Sequence, residues 1–185
     1  DTVNGKAVKL RFRGAANSDD VFDITVYLSP GDVWTADVAA DSEGFSRLVT
    51  TDNSCTLPSA EAIKLDDNGR FKTNRVQGQK DQTREGYIEI LNTANIAPAV
   101  APATNALFTA IKHVNGKAPC TTAVMDLQET DLADAAAAAA RGYSNPTGGL
   151  MANWVLVNVS GFASHSGEAV AVRANDGAGA NAAGN

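Results

Sequence analysis

Reactive residue types are scarce in this chain. Its 185 residues contain two histidines, His113 and His165, and two cysteines, Cys55 and Cys120. No stretch has the pattern of a P-loop, a dinucleotide-binding fingerprint, a helical H-E-x-x-H zinc site or a C-x-x-C pair, which removes the usual local signatures of nucleotide, hydride and zinc chemistry. Basic residues are outnumbered, 15 Lys and Arg against 21 Asp and Glu for a net charge of −6. That balance argues against an electropositive nucleic-acid footprint and against a polybasic membrane patch. No apolar run approaches the ~20 residues of a membrane-spanning helix. The reading therefore includes no nucleic-acid partner, no membrane span, no cofactor, no metal and no catalytic residue.

What is present is an ordinary globular composition, with 44% hydrophobic residues. At about 150 residues per domain, the length allows one domain. Residues 1–174 are assigned to it. The small-residue segment 175–185 (Asn175-Asp-Gly-Ala-Gly-Ala-Asn-Ala-Ala-Gly-Asn185) is read as a flexible tail. The chain begins at Asp1 and shows no charged-then-apolar leader, so a signal peptide is expected to have been removed or never included.

Alternation of apolar and polar residues, the strand signal, runs through Lys6–Arg13 and Val21–Leu28. It continues through Val33–Val38, with Trp34, Ala36 and Val38 on one face, and through Phe45–Thr51, Tyr87–Leu91, Trp154–Ser160 and Glu168–Arg173. Ser29-Pro-Gly-Asp32 and Asp41-Ser-Glu-Gly44 are turns. Residues 59–82 read as a long exposed loop with one short strand near Phe71, and Gly161–Gly167 reads as a turn. A helical insertion is expected around 103–141. Its first helix is capped by Thr104 or Asn105, carries Leu107, Ile111 and Val114 on one face, and ends at Asn115-Gly116. Its second runs from Thr130 or Asp131 to Arg141, and its six consecutive alanines predict close packing against a sheet. The fold class is mainly β, an antiparallel β-sandwich with a helical insertion. The echo Val3-Asn-Gly-Lys-Ala7 and Val114-Asn-Gly-Lys-Ala118 is read as reused turn chemistry.

Cys55 and Cys120 lie 65 residues apart, which is not a metal or redox spacing. In a low-charge chain of secreted-like composition the pair suggests one disulfide; the alternative is two unrelated buried thiols. Ser164-His-Ser166 only superficially resembles a nucleophile turn, because Phe162 stands where G-x-S-x-G needs glycine. An enzyme reading, a hydrolase using Ser164 and His165 or an acid pair, needs a pocket that brings His165 to a carboxylate. The acids Asp66–Asn68 could hold a cation, but the twelfth loop position is Gln77 rather than Glu. Asn158-Val-Ser160 fits a glycosylation sequon inside an expected strand. Trp34 and Trp154 fit core or sheet-face positions; exposed, they and Tyr87 would be ligand-contact aromatics.

Five segments, Gly5-Lys-Ala-Val-Lys-Leu-Arg-Phe12, Asp23-Ile-Thr-Val-Tyr-Leu-Ser-Pro-Gly-Asp-Val-Trp-Thr-Ala36, Thr51-Asp-Asn-Ser-Cys-Thr-Leu-Pro58, Arg84-Glu-Gly-Tyr-Ile-Glu-Ile90 and Asn145-Pro-Thr-Gly-Gly-Leu150, occur in order. Together, over about residues 5–173, they resemble a largely uncharacterised group of exported or cell-surface proteins of Gram-negative bacteria. The resemblance implies a location outside the cytoplasm, extracellular or at the cell surface, and an oxidised Cys55. It also implies a further apolar strand ahead of Asp1; without it one sheet is expected to have an open edge, the means by which subunits accept a neighbour's strand. The function expected is a non-enzymatic extracellular structural protein, the subunit of a surface fibre or matrix whose partners are copies of itself. The alternative is an adhesin or carbohydrate-binding module using Tyr27, Trp34, Tyr87, Tyr143, Trp154 and the 59–82 loop.

Overall fold

A computed structural model describes residues 1–65, 67–73, 79–99 and 104–172. In chain order the elements are β1 (Gly5–Gly14), β2 (Asp20–Leu28), β3 (Asp37–Ala40), β4 (Ser46–Val49), β5 (Cys55–Leu57), α1 (Ala60–Lys64), α2 (Gln79–Gln82), β6 (Gly86–Ile96), α3 (Ala106–Ile111), α4 (Thr122–Gln128), α5 (Ala135–Ala140), β7 (Asn153–Asn158) and β8 (Ala163–Glu168). An antiparallel sheet of order β5-β2-β1-β6 is accompanied by two two-stranded sheets, β3-β4 and β7-β8. The molecule is thus mainly β with antiparallel pairing. The layers over the larger sheet are a two-stranded ribbon and short helices rather than a second sheet of equal size.

Alternation places Val8, Leu10 and Phe12 on one face of β1 and Ala7, Lys9, Arg11 and Arg13 on the other. The Val8 face is buried at both ends, from Lys6 and Val8 to Phe12, whereas the Ala7 face is covered at one end only. Ala7, paired with Tyr27, joins Cys55, Ile96, Leu107 and Ile111 in a core under α3 and α4. At the opposite end and on the opposite face, Phe12, Ile24, Leu48, Ile63 and Phe71 form a second core under β4 and α1. Phe71 closes a ring cluster there, with centroids 4.8 Å from Phe12 and 5.5 Å from Phe22. Behind this second core the uncovered face carries a charge ladder: Lys9–Asp23 at 3.0 Å, Arg11–Asp20 at 2.9 Å and Arg13–Glu89 at 3.0 Å. Such solvated pairs contribute at most about 1 kcal/mol each.

Turn chemistry follows the sequence. The Asp32 amide donates to the Ser29 carbonyl at 3.1 Å, and Gly31 has φ +73°, as a type II turn needs. Asn115 and Gly116 both have positive φ and close a tight turn between Val114 and Lys117. The echoed Asn4-Gly5 makes no such turn. Gly5 opens β1, and a Cβ there would stand 2.7 Å from Ile111 and 2.8 Å from the Leu28 carbonyl.

Several expectations need correction. Residues 33–36 are not strand; β3 begins at Asp37, and Ala36 and Val38 are exposed, so they share no buried face with half-buried Trp34. The 59–82 segment is more than a loop: it holds α1 and α2, and Phe71 is a core residue. The insertion contains three short helices, not two. α3 stops before Lys112, which leaves Val114 61% exposed. α5 spans only the alanines, with Asp134 as its cap, and buries none of them, so it does not press against the sheet. β8 lies at Ala163–Glu168, inside the expected turn, because it follows β7 by ladder pairing; Asn158 is consequently at a strand end, where its side chain accepts from the Gly161 amide at 2.9 Å. Residue 66, the middle of the polar stretch (74–78), residues 100–103 and the tail from 173 onward lie outside the described residues.

Asn105 ties the helical segment together. Its Oδ1 accepts from the Phe108 amide at 3.2 Å, and its Nδ2 donates to the Ala97 and Gly142 carbonyls at 2.9 and 3.0 Å. Asn105→Ala is expected to cost about 2 kcal/mol, the upper range for a lost helix cap, because two more carbonyls lose their donor. Asn105→Asp keeps the cap and loses the donors, so urea denaturation should place it between wild type and Asn105→Ala.

Candidate functional site

Among the described residues, neither face of the β7–β8 hairpin is covered. Trp154, Val155, Leu156 and Val157 are 50–67% exposed, and Val159 and Phe162 at its tip are 79% and 96% exposed. Trp154 and Leu156 point to one face and Val155 and Val157 to the other. Opposite Trp154 stands Gly167, where a Cβ would come within 2.8 Å of the indole, so glycine lets the ring lie across the ladder. A continuous apolar run of this kind is what a strand buried on both faces carries. Here, among the described residues, nothing lies on either face.

A second open feature is the outer edge of β6. Among the described residues, its backbone pairs with β1 on one side; on the other, the only partner is Ser144, bonded to Asn95. Residues 87–93 are left with an unpaired edge. They carry Tyr87, Ile88, Ile90 and Leu91, each 40–50% exposed. The one charge in that stretch, Glu89, is held by Arg13. Edge strands are commonly protected by lysine, proline or covering structure; none of these stands on this edge among the described residues.

The sequence-selected aromatics separate. Tyr27 is buried and its hydroxyl meets that of Tyr143 at 3.3 Å; burial raises the pKa of both phenols, so neither is a surface platform. Trp34 packs against the second core. Trp154 and Tyr87 are half-exposed, on the hairpin and on β6. No ring contact joins Trp34, Tyr87 and Trp154 among the described residues. Cys55 and Cys120 form a disulfide with Cα atoms 5.4 Å apart.

His165 lies on exposed β8 opposite Leu156, with no bonded carboxylate among the described residues. The sequence did not reveal a different polar cluster at a shallow depression of about 410 Å³ lined by Asp32, Thr35, Asp52, Asn53 and His113. His113 Nδ1 is 2.9 Å from Ser29 Oγ and 3.4 Å from Asp32 Oδ2. A nucleophile relay needs hydroxyl and carboxylate on opposite ring nitrogens; here both meet Nδ1. Asp32 also accepts from Ser54 Oγ at 3.2 Å, so the cluster fastens the β2–β3 turn to the chain on either side of the disulfide. The Ser29-Pro-Gly-Asp32 turn was legible; the arrival of His113, 84 residues from Ser29, is a tertiary event.

Asp67 is engaged by Lys72 at 2.6 Å and by Arg70, so its carboxylate is occupied by cations of the chain. Arg70 also binds Asp41 and Glu43 and lies 5.1 Å over the Phe45 ring. The Lys72 hydrogen bond and the Arg70 charge hold the Asp67 carboxyl below its ordinary pKa. At Asp41, desolvation acts upward but is outweighed by the Phe45 and Glu43 amides and by Arg70. Both folded values lie below the unfolded one. Their contribution to stability is present above about pH 4 and is lost as pH falls through the folded values. Arg70→Gln removes a cause of both depressions. Its acid-unfolding midpoint, followed by circular dichroism, should move to higher pH; an unchanged midpoint would show that the backbone amides and Lys72 suffice.

The chain matches no protein family, no curated protein and no solved structure with which it was compared.

Proposed function

We propose that this protein is a non-enzymatic, extracellular structural protein, the subunit of a surface fibre or matrix assembled by strand complementation between copies. The observation that carries the reading is the presence, on one chain, of apolar strand surfaces left open in the monomer. Apolar surface of this extent costs solvation free energy unless covered. Covering by a neighbour extends the antiparallel sheets into the sandwich that a single chain leaves incomplete. The internal disulfide suits an oxidising compartment. A contact between two different surfaces of identical subunits need not close, so it propagates as a filament. Electron microscopy and light scattering of purified protein over rising concentration test this. Filaments or an open-ended size series are expected; strict monomer at millimolar concentration would sink the reading. The half-exposed Trp154 and Tyr87 favour a second reading, a carbohydrate-binding module. In that case Trp154→Ala abolishes glycan-array binding by a monomeric protein.

A further inference from the structure

We infer that the β7–β8 hairpin of one subunit adds to the free edge of β6 in the next, with β7 as the pairing strand. This rests on the fibre reading above and names its donor and acceptor. Three observations carry it. The first is hydrogen-bonding capacity: β6 leaves the backbone of residues 87–93 without a partner on its outer side, and β7 offers six residues, Asn153–Asn158, whose outer edge is likewise unpaired among the described residues. The second is side-chain character. Tyr87, Ile88, Ile90 and Leu91 are apolar on both faces of β6, as Trp154, Val155, Leu156 and Val157 are on both faces of β7. Pairing places like beside like on each face, as cross-strand stabilisation requires. The third is charge. β7 carries no charged residue, and the one charge of residues 87–93, Glu89, is already held by Arg13, so pairing the two edges buries no free charge.

The polarity of the hairpin fixes which strand is donated. β8 reads Ala163-Ser-His-Ser-Gly-Glu168 and β7 reads Asn153-Trp-Val-Leu-Val-Asn158. With β7 against β6 the extended sheet runs β5-β2-β1-β6-β7-β8, the last two from the neighbour. It then ends in the polar strand carrying His165 and Glu168. A polar terminal strand blunts further edge growth, so elongation proceeds subunit by subunit through the hairpin. Donor and acceptor differ, which makes the contact head-to-tail.

The test uses two full-length double variants. Val155→Lys with Val157→Lys charges the donor, and Ile90→Lys with Leu91→Lys charges the acceptor. All four positions are 40–67% exposed, so the monomer fold should persist, and circular dichroism checks this. Each variant alone should be monomeric where wild type assembles, with apparent dissociation constants raised at least tenfold. Mixed in equal amounts, they should form a 1:1 dimer and stop, because one intact donor meets one intact acceptor. On wild-type assembly, hydrogen exchange at residues 87–93 should slow at least tenfold, a readout independent of any variant. Assembly of wild type with unchanged assembly of the variants would overturn this pairing and leave the fibre reading standing. Dimers of the acceptor variant by itself would assign the hairpin to a symmetric contact and overturn it too. A wild type that stays monomeric, or that only binds phosphatidylcholine–phosphatidylglycerol vesicles in flotation, would remove both readings.

Discussion

Replacing Cys55 and Cys120 together by alanine is expected to lower the unfolding free energy by about 4 kcal/mol, the chain-entropy value for a closed loop of this size. The disulfide closes 65 residues. Within that loop lie α1, α2, β6 and α3, so opening it enlarges the unfolded ensemble over a third of the chain. It also joins two parts of one core. β5 is an edge strand of three residues paired to β2, too short to hold itself in place, and Cys55 on it is 1% exposed against Ile111 and Met125 in the core beneath α3 and α4. At roughly 2–4 °C per kcal/mol for a chain of this size, the thermal midpoint should fall by about 10 °C. Wild type in reductant should reproduce the double variant, with a larger urea m-value than the oxidised protein because its unfolded state is more expanded. A loss below about 1 kcal/mol would mean that the reduced ensemble is already compact enough for the cross-link to remove little entropy.

How much of this was legible in the sequence depends on what each element buries. β1 and β2 were located within a residue or so because long alternating runs leave few registers. The cap at Asn105, one of two candidates, followed from local chemistry, since a cap serves amides two or three residues away; the start of α5 was placed three or four residues early, because Thr130, Asp131 and Asp134 all offer a capping oxygen and only Asp134 adjoins the alanines. β5 was missed because three residues are too few to show a period. α4 was missed because it buries only Met125. Phe71 stood alone in a polar stretch, and its place beside Phe12 and Phe22 comes from the pairing of β1 with β2. β8 has no apolar pattern and exists because β7 pairs with it. Which apolar strand surfaces the fold leaves open was not legible. Trp154-Val-Leu-Val157 reads as core in any chain, and that it lies outside this one is a property of the tertiary fold. The same holds for β6, whose edge is defined by which strand does not arrive beside it.

Lys6→Met is expected to cost about 3 kcal/mol, the scale for removing one partner of a buried ion pair. Lys6 is 2% exposed. Burial lowers the pKa of its ammonium, and that cost is offset by acceptors gathered from three segments. Its Nζ donates to Asn95 Oδ1 at 2.5 Å, to the Thr147 carbonyl at 2.8 Å and to the Gly148 carbonyl at 3.0 Å, and stands 3.3 Å from the Asp1 carboxylate. The Asp1 amine meanwhile donates to the Gly149 carbonyl at 2.9 Å. Methionine fills nearly the same volume and supplies no donor: the Gly148 carbonyl loses its donor, while Asn95 Oδ1, the Thr147 carbonyl and Asp1 Oδ2 lose the ammonium and keep only the Thr147, Asn92 and Asn4 amides. The consequence extends beyond stability, because residues 144–149 lead directly into the β7–β8 hairpin and this clamp fixes the root of that arm on β1 and β6. In Lys6→Met the paired amides of Asn95 and Ser144, each bonded to the other's carbonyl, should lose exchange protection before the rest of β6. A freely pivoting arm keeps its apolar surface but loses preorganisation, so any self-association should weaken more than the fold does. Unfolding within 0.5 kcal/mol of wild type, with unchanged exchange at Asn95 and Ser144, would show that the acceptors find other donors and that the arm is positioned without the lysine.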